Sequence, residues 1–362
     1  MDFQQGLIAT IHDYGLGKLD LPDFRRQLRQ RPTSLLIPCL MEEFSRPALG
    51  LIREVLAELS GLEELVIALS AETSDDVAAA EAFFADMPFP VRVHWTNGPA
   101  VAESLQSLQT LGLNVTGPPG KGWAVWQGLG VACRNAEIVG LFDADIRTFS
   151  PAYPQRMLRP LLDPSLGVAY VKAFYSRLSL ETQSLHGRAT RLFVGPLLTS
   201  LEQIFGPMPY LRYLQSFRYP LAGEFAFTRD LAMNLRIPSD WGLEIGLLSG
   251  YIAMCLLGAS PKWISACLIT STKPWAMLPQ RGCNAWPVKF LPRCFVDSWS
   301  MRVGCCLQTK SQRLKCCSDE WEKTVSNSLD WIQPSIVCLT TDTARNLLSR
   351  ASQPCCVPKL RN

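Results

Sequence analysis

The chain has 362 residues, of which 48% are hydrophobic and 19% charged, values typical of a globular protein with one large or two modest domains. Its formal net charge of +3 gives no reason to expect a nucleic-acid partner. The longest apolar stretch, residues 245–260, is short for a membrane span and is interrupted by Gly and Ser. No basic segment followed by an apolar run opens the chain, so we expect a cytoplasmic protein without a membrane partner.

After a partly helical extension over residues 1–33, strand and helix patterns alternate. The predicted strands cover residues 34–40, 65–69, 91–95 and 138–142. The predicted helices cover residues 47–59, 74–84 with Ser74 as N-cap, and 121–133 after a turn at 117–120. Such alternation predicts an α/β fold with a mostly parallel sheet and helices on both faces. Ligands of such sheets bind beyond the carboxyl ends of the strands, where we expect Glu42, Ser70 and Asp143.

Two carboxylates follow the strand predicted at residues 138–142, in the sequence GLFDADIRTF. Asp143 and Asp145 are separated by one small residue and can lie side by side on a turn. There they can share a divalent cation whose remaining positions bind a diphosphate. A D-x-D pattern alone is common and can be ordinary loop acids, so its weight depends on other segments.

Three segments upstream suit the same chemistry. Residues 37–43, IPCLMEE, end the first strand with carboxylates that could hold a nucleoside, and Ser70 ends the second strand. Gly120-Lys121-Gly122 offers a flexible backbone and a cation for phosphates, although such triplets are common. With the D-x-D segment, these sequences resemble the GT-A glycosyltransferases, whose nucleotide-sugar-binding sheet is Rossmann-like.

The resemblance narrows downstream, where three further segments read HGRATRL (186–192), YPLAGEFA (219–226) and WGLEIGL (241–247). Together they look like the glucosyl-3-phosphoglycerate synthase family, over roughly residues 30–260. The resemblance implies transfer of glucose from an NDP-glucose, most readily UDP-glucose, to 3-phosphoglycerate with retention. The product is a precursor of the compatible solute glucosylglycerate. The implied cofactor is Mg²⁺ or Mn²⁺.

The resemblance also implies the site residues. Those expected to bind the donor are Pro38, Cys39, Leu40, Glu42, Ser70, Lys121 and Asp143. Those expected to bind the acceptor are Gly187, Arg188, Ala189, Thr190, Trp241 and Glu244. Asp145 is the expected direct metal ligand with Asp143 beside it, and Asp145, Glu244 and Lys121 are the expected catalytic residues. The family often has Ala at the position of Cys39 and usually Tyr at that of Trp241, so the contact of that Tyr hydroxyl is lost here.

The predicted organisation is a helical extension (1–33), a nucleotide-sugar-binding GT-A half (34–150), an acceptor-binding half (151–260) and an atypical tail (261–362). The tail holds 14 Lys and Arg against 6 Asp and Glu, and 10 of the 13 Cys. A disulfide-rich module needs a secretory signal. A zinc module needs suitable Cys spacing and His, yet no His follows His186. Neither explanation suits the tail.

The genetic code suggests a third explanation. In the frame made of each codon's third base and the next codon's first two, Trp263-Ile264 must encode Asp, and Ser265-Ala266 can encode Gly. In that frame Ile269-Thr270 and Ser271-Thr272 can each encode His. The allowed string resembles the segment in which the family carries a metal-binding His. We therefore hypothesise a frameshift near residues 258–262, which an unbroken frame in independent isolates would contradict.

The sequence leaves other roles for the predicted site residues, and other functions for the chain, open. Glu42 can be a solvated acid, Arg188 a surface ion-pair partner and Glu244 a first-turn helix acid. The chain can be another GT-A transferase, of the mannosyl-3-phosphoglycerate or mannosylglycerate type, or an impaired copy that binds nucleotide without turnover. A non-enzymatic binding module fits least. A homodimer is compatible with the sequence, which specifies no oligomeric state.

Overall fold

The computed structural model describes residues 8–11, 20–113, 120–175, 178–179, 184–185, 187–239, 242–256 and 266–271. The chain divides into two compact units, Met1–Ser298 and Trp299–Asn362, and all described residues lie in the first. The strands are β1 (Ala9–Ile11), β2 (Thr33–Leu40), β3 (Glu64–Ser70), β4 (Val91–Trp95), β5 (Ile138–Leu141), β6 (Tyr170–Tyr175), β7 (Leu178–Ser179), β8 (Ser184–Leu185), β9 (Phe225–Thr228) and β10 (Ala266–Ser271).

Ten α-helices occur in the described part of the chain. They are α1 (Leu21–Gln30), α2 (Pro47–Ala57), α3 (Ser74–Phe83), α4 (Pro99–Thr110), α5 (Lys121–Ala132), α6 (Ala152–Leu162), α7 (Gly195–Phe205), α8 (Pro209–Ser216), α9 (Arg229–Asn234) and α10 (Leu243–Leu256). Short 3₁₀ turns cover Met41–Ser45 and Pro164–Leu166, and Ala189–Val194 is π-helical.

One eight-stranded sheet organises the fold, in the order β1-β10-β6-β9-β5-β2-β3-β4. Strand β9 is antiparallel to both of its neighbours, β5 and β6, and all other pairs in this sheet are parallel. Strands β7 and β8 form a separate antiparallel pair. The predicted α/β fold with a mostly parallel sheet is confirmed.

Both faces of this sheet are covered by helices, as the sequence predicts. Leu35 and Ile37 of β2 belong to a large apolar cluster that includes residues of α1, α2, α3 and α6. Leu36, which points to the opposite face, lies against α5, where a Cβ atom added to Gly128 would overlap it. Gly128 therefore permits the close approach of α5 to the sheet.

The carboxyl ends of the parallel strands lie side by side. Leu40 at the end of β2 pairs with Ser70 at the end of β3. Strand β5 ends at Leu141, and the Phe142 N–H donates to the Leu36 carbonyl. Asp143 and Asp145 therefore follow β5 at the same edge as residues 40–43, which is where the sequence pattern places the ligand site.

The structure corrects one predicted helix start and adds helices that were not predicted, which are α4 and α6–α9. Thr73, not Ser74, is the N-cap of α3, because its backbone is extended and it forms a capping box with Asp76. Helix α4 (Pro99–Thr110) was not predicted. It has no buried residue and so presents no apolar stripe that a sequence pattern would reveal.

Strand β10 lies beyond residue 260, in the segment that the sequence analysis sets apart as a tail. Its backbone pairs with β6 along six residues and with β1 along three. Pairing in the sheet therefore extends to residue 271, while the proposed domain limits and the frameshift hypothesis stay predictions. Residues 272–362 lie outside the described residues. No helix in the described ranges combines the length and apolar character needed to cross a lipid bilayer.

Candidate active site

Three charged side chains from separate elements meet at the carboxyl edge of the sheet. Lys121 begins α5, Asp143 follows β5, and Glu244 lies in the first turn of α10. The Lys121 Nζ atom donates to Asp143 Oδ1 at 2.5 Å and to Glu244 Oε1 at 3.3 Å. We call these three residues the Lys121 cluster. Its side chains are 18%, 18% and 2% exposed, so their charges interact with little screening by solvent.

The surroundings of the Lys121 cluster determine its protonation. Burial alone would lower the pKa of Lys121, but the charges of Asp143, Glu244 and Glu224 outweigh it and raise that pKa above its ordinary value. Burial raises the pKa of Glu244, and Lys121 and Lys172 oppose this effect. Lys121 is therefore a permanent cation at neutral pH, and it favours the carboxylate form of Glu244.

Gly223 is required by the packing at this point. A Cβ atom at Gly223 would lie 2.5 Å from Lys121 Nζ and 2.9 Å from Asp143 Cγ, which is closer than atoms can approach. The backbone at Gly223, within the segment 219–226, therefore packs directly on the Lys121–Asp143 ion pair. The sequence singles out this segment as a motif without giving it a role.

The end of β2 carries a second group of acids. Glu42 is exposed and pairs with Arg46 at 2.9 Å, whereas the Glu43 side chain is buried and pairs with the same Arg46. Burial raises the pKa of Glu43, and the charge of Asp145 adds to the shift. The Glu43 and Asp145 carboxylates are thus close enough to repel each other. Both acids belong to the predicted nucleoside segment 37–43, but only Glu42 was among the predicted site residues.

The other predicted donor residues flank these acids. Pro38 and Ser70 are partly buried, and Leu40 is 53% exposed beside Ser70. The Cys39 thiol is buried and donates to the Leu40 carbonyl at 3.4 Å. Burial, assisted by the nearby Glu43 charge, raises the pKa of Cys39 to about 12. Cys39 is therefore a protonated packing residue and not a nucleophile.

The loop after β3 is held from the neighbouring strand. The Ala71 N–H donates to Asn97 Oδ1 at 3.1 Å, and Asn97 Nδ2 donates back to the Ala71 carbonyl at 2.8 Å. The Trp95 Nε1 atom donates to the same carbonyl at 3.0 Å. The backbone that follows Ser70 thus has a fixed position, which suits a rigid wall of a ligand site.

The predicted acceptor segment precedes α7. Gly187 has a φ of 82°, which favours glycine, and Arg188 next to it is exposed. Ala189 and Thr190 begin the π-helical turn that leads into α7. Among the described residues, no hydrogen bond or ion pair joins residues 187–190 to the Lys121 cluster. Trp241, also predicted to bind the acceptor, lies outside the described residues.

Two charged residues near the Lys121 cluster were missed by the sequence analysis. Lys172 and Glu224 are fully buried, and the charges of both act on other members of the site. A signal for Lys172 existed, because it is the one charged residue in the apolar run VAYVKAFY (168–175). A lone charge in a buried strand predicts an internal partner.

The acids at this edge fit a divalent cation by their chemistry. Carboxylate oxygens are the ligands of Mg²⁺, which is usually held by one or two carboxylates together with substrate phosphates. Asp143 is partly engaged by Lys121, while Asp145 has a buried Oδ1 atom and lies near a second acid. The described residues contain no group of three or more His, Cys, Asp or Glu that could hold a metal by itself. Asp145 and Asp143 stay the predicted residues for holding the cation.

Proteins of known function share both sequence and fold with the chain. The glucosyl-3-phosphoglycerate synthase of Methanococcoides burtonii is 42% identical over 250 residues, which are 69% of the chain and 62% of that protein. The synthase of Persephonella marina is 36% identical over 251 residues, 68% of the chain and 61% of that protein. The chain thus spans less than two thirds of the length of these relatives.

A solved structure has the same fold. It is the glucosyl-3-phosphoglycerate synthase of Mycobacterium tuberculosis in complex with Mn²⁺, UDP-glucose and phosphoglyceric acid. Its TM-score is 0.55 at 25% identity, and the match covers 79% of the chain and 87% of that protein. No protein-family model matches the chain. By its sequence relatives and its fold, the chain belongs to the glucosyl-3-phosphoglycerate synthase family.

Proposed function

We propose that the chain transfers glucose from an NDP-glucose, with UDP-glucose as the first choice, to 3-phosphoglycerate in a metal-dependent reaction. The names of its relatives and the ligands of the M. tuberculosis structure support this choice of substrates and of Mg²⁺ or Mn²⁺. The observation in the chain itself that carries the proposal is the Lys121 cluster. It places an oriented cation between two carboxylates at the edge where α/β sheets bind nucleotides.

The proposed role of Lys121 is to stabilise the leaving group. When the bond between the anomeric carbon and the diphosphate breaks, negative charge develops on the phosphate oxygens. Lys121 is protonated and already held by Asp143 and Glu244, so little reorganisation is needed as that charge appears. A divalent cation bound at Asp145 and Asp143 would neutralise part of the same charge.

The proposed role of Glu244 is to orient a hydroxyl group of the sugar or of the acceptor. Its carboxylate is almost completely buried and has one oxygen directed at Lys121. A buried carboxylate accepts a strong hydrogen bond from a hydroxyl, and it discriminates against a substrate that lacks one. In the proposed reaction the acceptor hydroxyl attacks from the side that the diphosphate leaves, with the leaving phosphate accepting its proton. This order of events gives retention without a covalent intermediate.

The acceptor carries a phosphate and a carboxylate, and the segment at residues 187–190 suits both. The exposed Arg188 guanidinium can bind either group with two parallel hydrogen bonds. The backbone N–H groups of Gly187, Ala189 and Thr190 are the proposed additional donors, and Trp241 the proposed apolar wall. Pro38, Cys39, Leu40, Glu42 and Ser70 are the proposed contacts of the nucleoside.

The test is product formation by the purified full chain from UDP-glucose and 3-phosphoglycerate with Mg²⁺ or Mn²⁺, followed by mass spectrometry and by UDP release. We expect glucosyl-3-phosphoglycerate, and no product after chelation of the metal or in the Asp145→Asn variant. The matched control is Asp86→Asn, because Asp86 is an exposed acid paired with Arg53 on the surface. Equal activity of Asp145→Asn and Asp86→Asn would refute the proposed metal site.

Two outcomes would change the proposal. Faster turnover with GDP-mannose or with glycerate would assign the chain to another sugar transferase of the same fold. UDP binding without any product would identify an impaired copy. Absence of both UDP binding and product would refute a nucleotide-sugar transferase altogether.

A further inference from the structure

A second buried cation lies behind the Lys121 cluster. Lys172, in the middle of β6, has no exposed surface. Its Nζ atom donates to the Ala222 carbonyl at 2.5 Å and lies 5.7 Å from the centre of the Phe225 ring. A buried ammonium group loses several kcal/mol of hydration, and one carbonyl with one aromatic face replaces only part of it. The fold retains this costly group next to the proposed site.

The hydrogen bond from Lys172 reaches the segment that packs on the Lys121 cluster. Lys172 pairs with Phe225 in the ladder between β6 and β9, and the Ala173 N–H extends this ladder to the Glu224 carbonyl. Ala222 precedes the ladder and closes a turn by donating its N–H to the Tyr219 carbonyl. The bond from Lys172 to the Ala222 carbonyl therefore ties the end of this turn to the sheet.

Gly223, which follows Ala222, connects this turn to the Lys121 cluster. Gly223 lies so close to Lys121 and Asp143 that not even a methyl group fits between them. A shift of the backbone at Ala222 would thus move Gly223 into the ion pair or away from it. Contacts that close are sensitive to displacements well below 1 Å, since protein interiors are tightly packed.

Lys172 also balances charge at the cluster. Glu244 and Glu224 both act on Lys172, and Lys172 in turn favours the carboxylate form of Glu244. Lys121 by itself faces three acids, which are Asp143, Glu244 and Glu224. Without Lys172, one cation would face three carboxylates, of which Glu244 and Glu224 are buried.

We propose that Lys172 is a positioning residue of the transfer site, which fixes the 219–223 turn against the Lys121–Asp143 pair. It does not touch substrate. The inference rests on the proposed function for its effect on turnover, whereas its effect on the 219–223 turn is independent of that function.

The test compares Lys172→Met, which removes the charge and the donor at similar volume, with Arg31→Met. Arg31 is a matched control, because it too is a cation that donates to a backbone carbonyl, that of Leu161, and it lies at the opposite end of β2. For Lys172→Met we expect kcat to fall at least about tenfold, as for a misplaced catalytic group. We expect UDP affinity to change much less, and amide hydrogen exchange in the peptide that contains residues 219–224 to become faster. Arg31→Met should lower the Tm without either effect.

A further variant guards against a failure to fold. Lys172→Gln is polar but one atom shorter than Lys, so it should weaken the bond to the Ala222 carbonyl. We expect faster exchange at 219–224 and a lower kcat, each to a smaller extent than in Lys172→Met. If Lys172→Met does not fold, the same measurements on Lys172→Gln decide the matter. Wild-type kcat in both variants, or unchanged exchange at 219–224 in Lys172→Met, would overturn the proposal. An inactive wild-type chain would count against the proposed function alone, because hydrogen exchange still tests the tie between Lys172 and the turn.

Discussion

The two halves of the eight-stranded sheet differ in what they bury. The half formed by β2, β3 and β4 packs mainly aliphatic side chains on both faces, with residues 35–37 and 65–69 fully buried, and its buried acids Glu43 and Glu64 each pair with a more exposed arginine. The half around β6 and β9 buries Lys172 and Glu224 together with several aromatic rings. Burial of aliphatic side chains stabilises the fold, whereas burial of charges costs stability. The low local dielectric, however, makes the electrostatic interactions between buried charges stronger. The comparison indicates that the first half provides a rigid frame, and that the second half adds buried charges that act on the Lys121 cluster.

The strongest test of this division is the loss of the central cation. In Lys121→Met we expect kcat to fall by about 10²–10³-fold, the usual effect of removing one group that stabilises charge in a transition state. Steady-state kinetics with UDP-glucose and 3-phosphoglycerate provides the measurement. Arg92→Met is the control, because Arg92 pairs with Glu64 in the aliphatic half and should leave kcat unchanged. A similar loss in both variants would remove the distinction between the halves.

In the aliphatic half we expect a substitution to lower stability and to leave kcat unchanged. Leu35 is fully buried in the apolar cluster, and Leu35→Ala should lower the free energy of unfolding by about 2–5 kcal/mol. Urea denaturation measures this change, and kcat per folded molecule should stay near the wild-type value at a temperature where the variant is folded. A large loss of kcat in folded Leu35→Ala would show that the frame and the site are not separable.

Lys172 should make stability depend on pH in a defined direction. Burial lowers its pKa from 10.5 to about 8, against opposing effects of Glu244, Glu224 and Asp143 and with a supporting effect of Lys121. Between these two values the unfolded chain binds the proton and the folded chain does not, so stability rises with pH in that window. The stability of the wild type relative to Lys172→Met should increase by up to about 3 kcal/mol from pH 8 to pH 10.5. Parallel pH curves of the two proteins, measured by urea denaturation, would contradict this prediction.

The smallest expected effect concerns packing on the ion pair. In Gly223→Ala the new methyl group must displace Lys121 or Asp143, so we expect kcat to fall by about tenfold with a change in stability of only about 1–2 kcal/mol. Gly130→Ala is the control, because a Cβ atom at Gly130 meets nothing within 4 Å. If Gly223→Ala kept wild-type kinetics, the Lys121–Asp143 pair would not need its present position.

Many strands and helices of the frame could be predicted, because each is indicated by a local sequence pattern. The apolar runs of β2 and β3 and the helix at Lys121–Ala132 have the periodicity and end signals of their type. Asp143 and Lys121 could be predicted as site residues. Asp143 follows a predicted strand and Lys121 begins a predicted helix, both at the edge of the sheet where ligands bind. Helix α4 escaped prediction since it buries nothing, and the cap of α3 moved by one residue because Thr73 and Ser74 are both good N-caps.

What the sequence determined by itself is therefore the order of the elements, the edge of the sheet that binds ligands, and the residue types available there. The tertiary structure decided which of these residues meet. It joined Lys121 to Glu244, 123 positions apart in the chain, and it placed Lys172 behind both. The reason is that periodicity and capping act within a few residues, whereas β9 enters the sheet between β5 and β6 in an order that no local pattern specifies. The order of the strands in the sheet therefore brings the charged residues of the site together, and local sequence patterns do not.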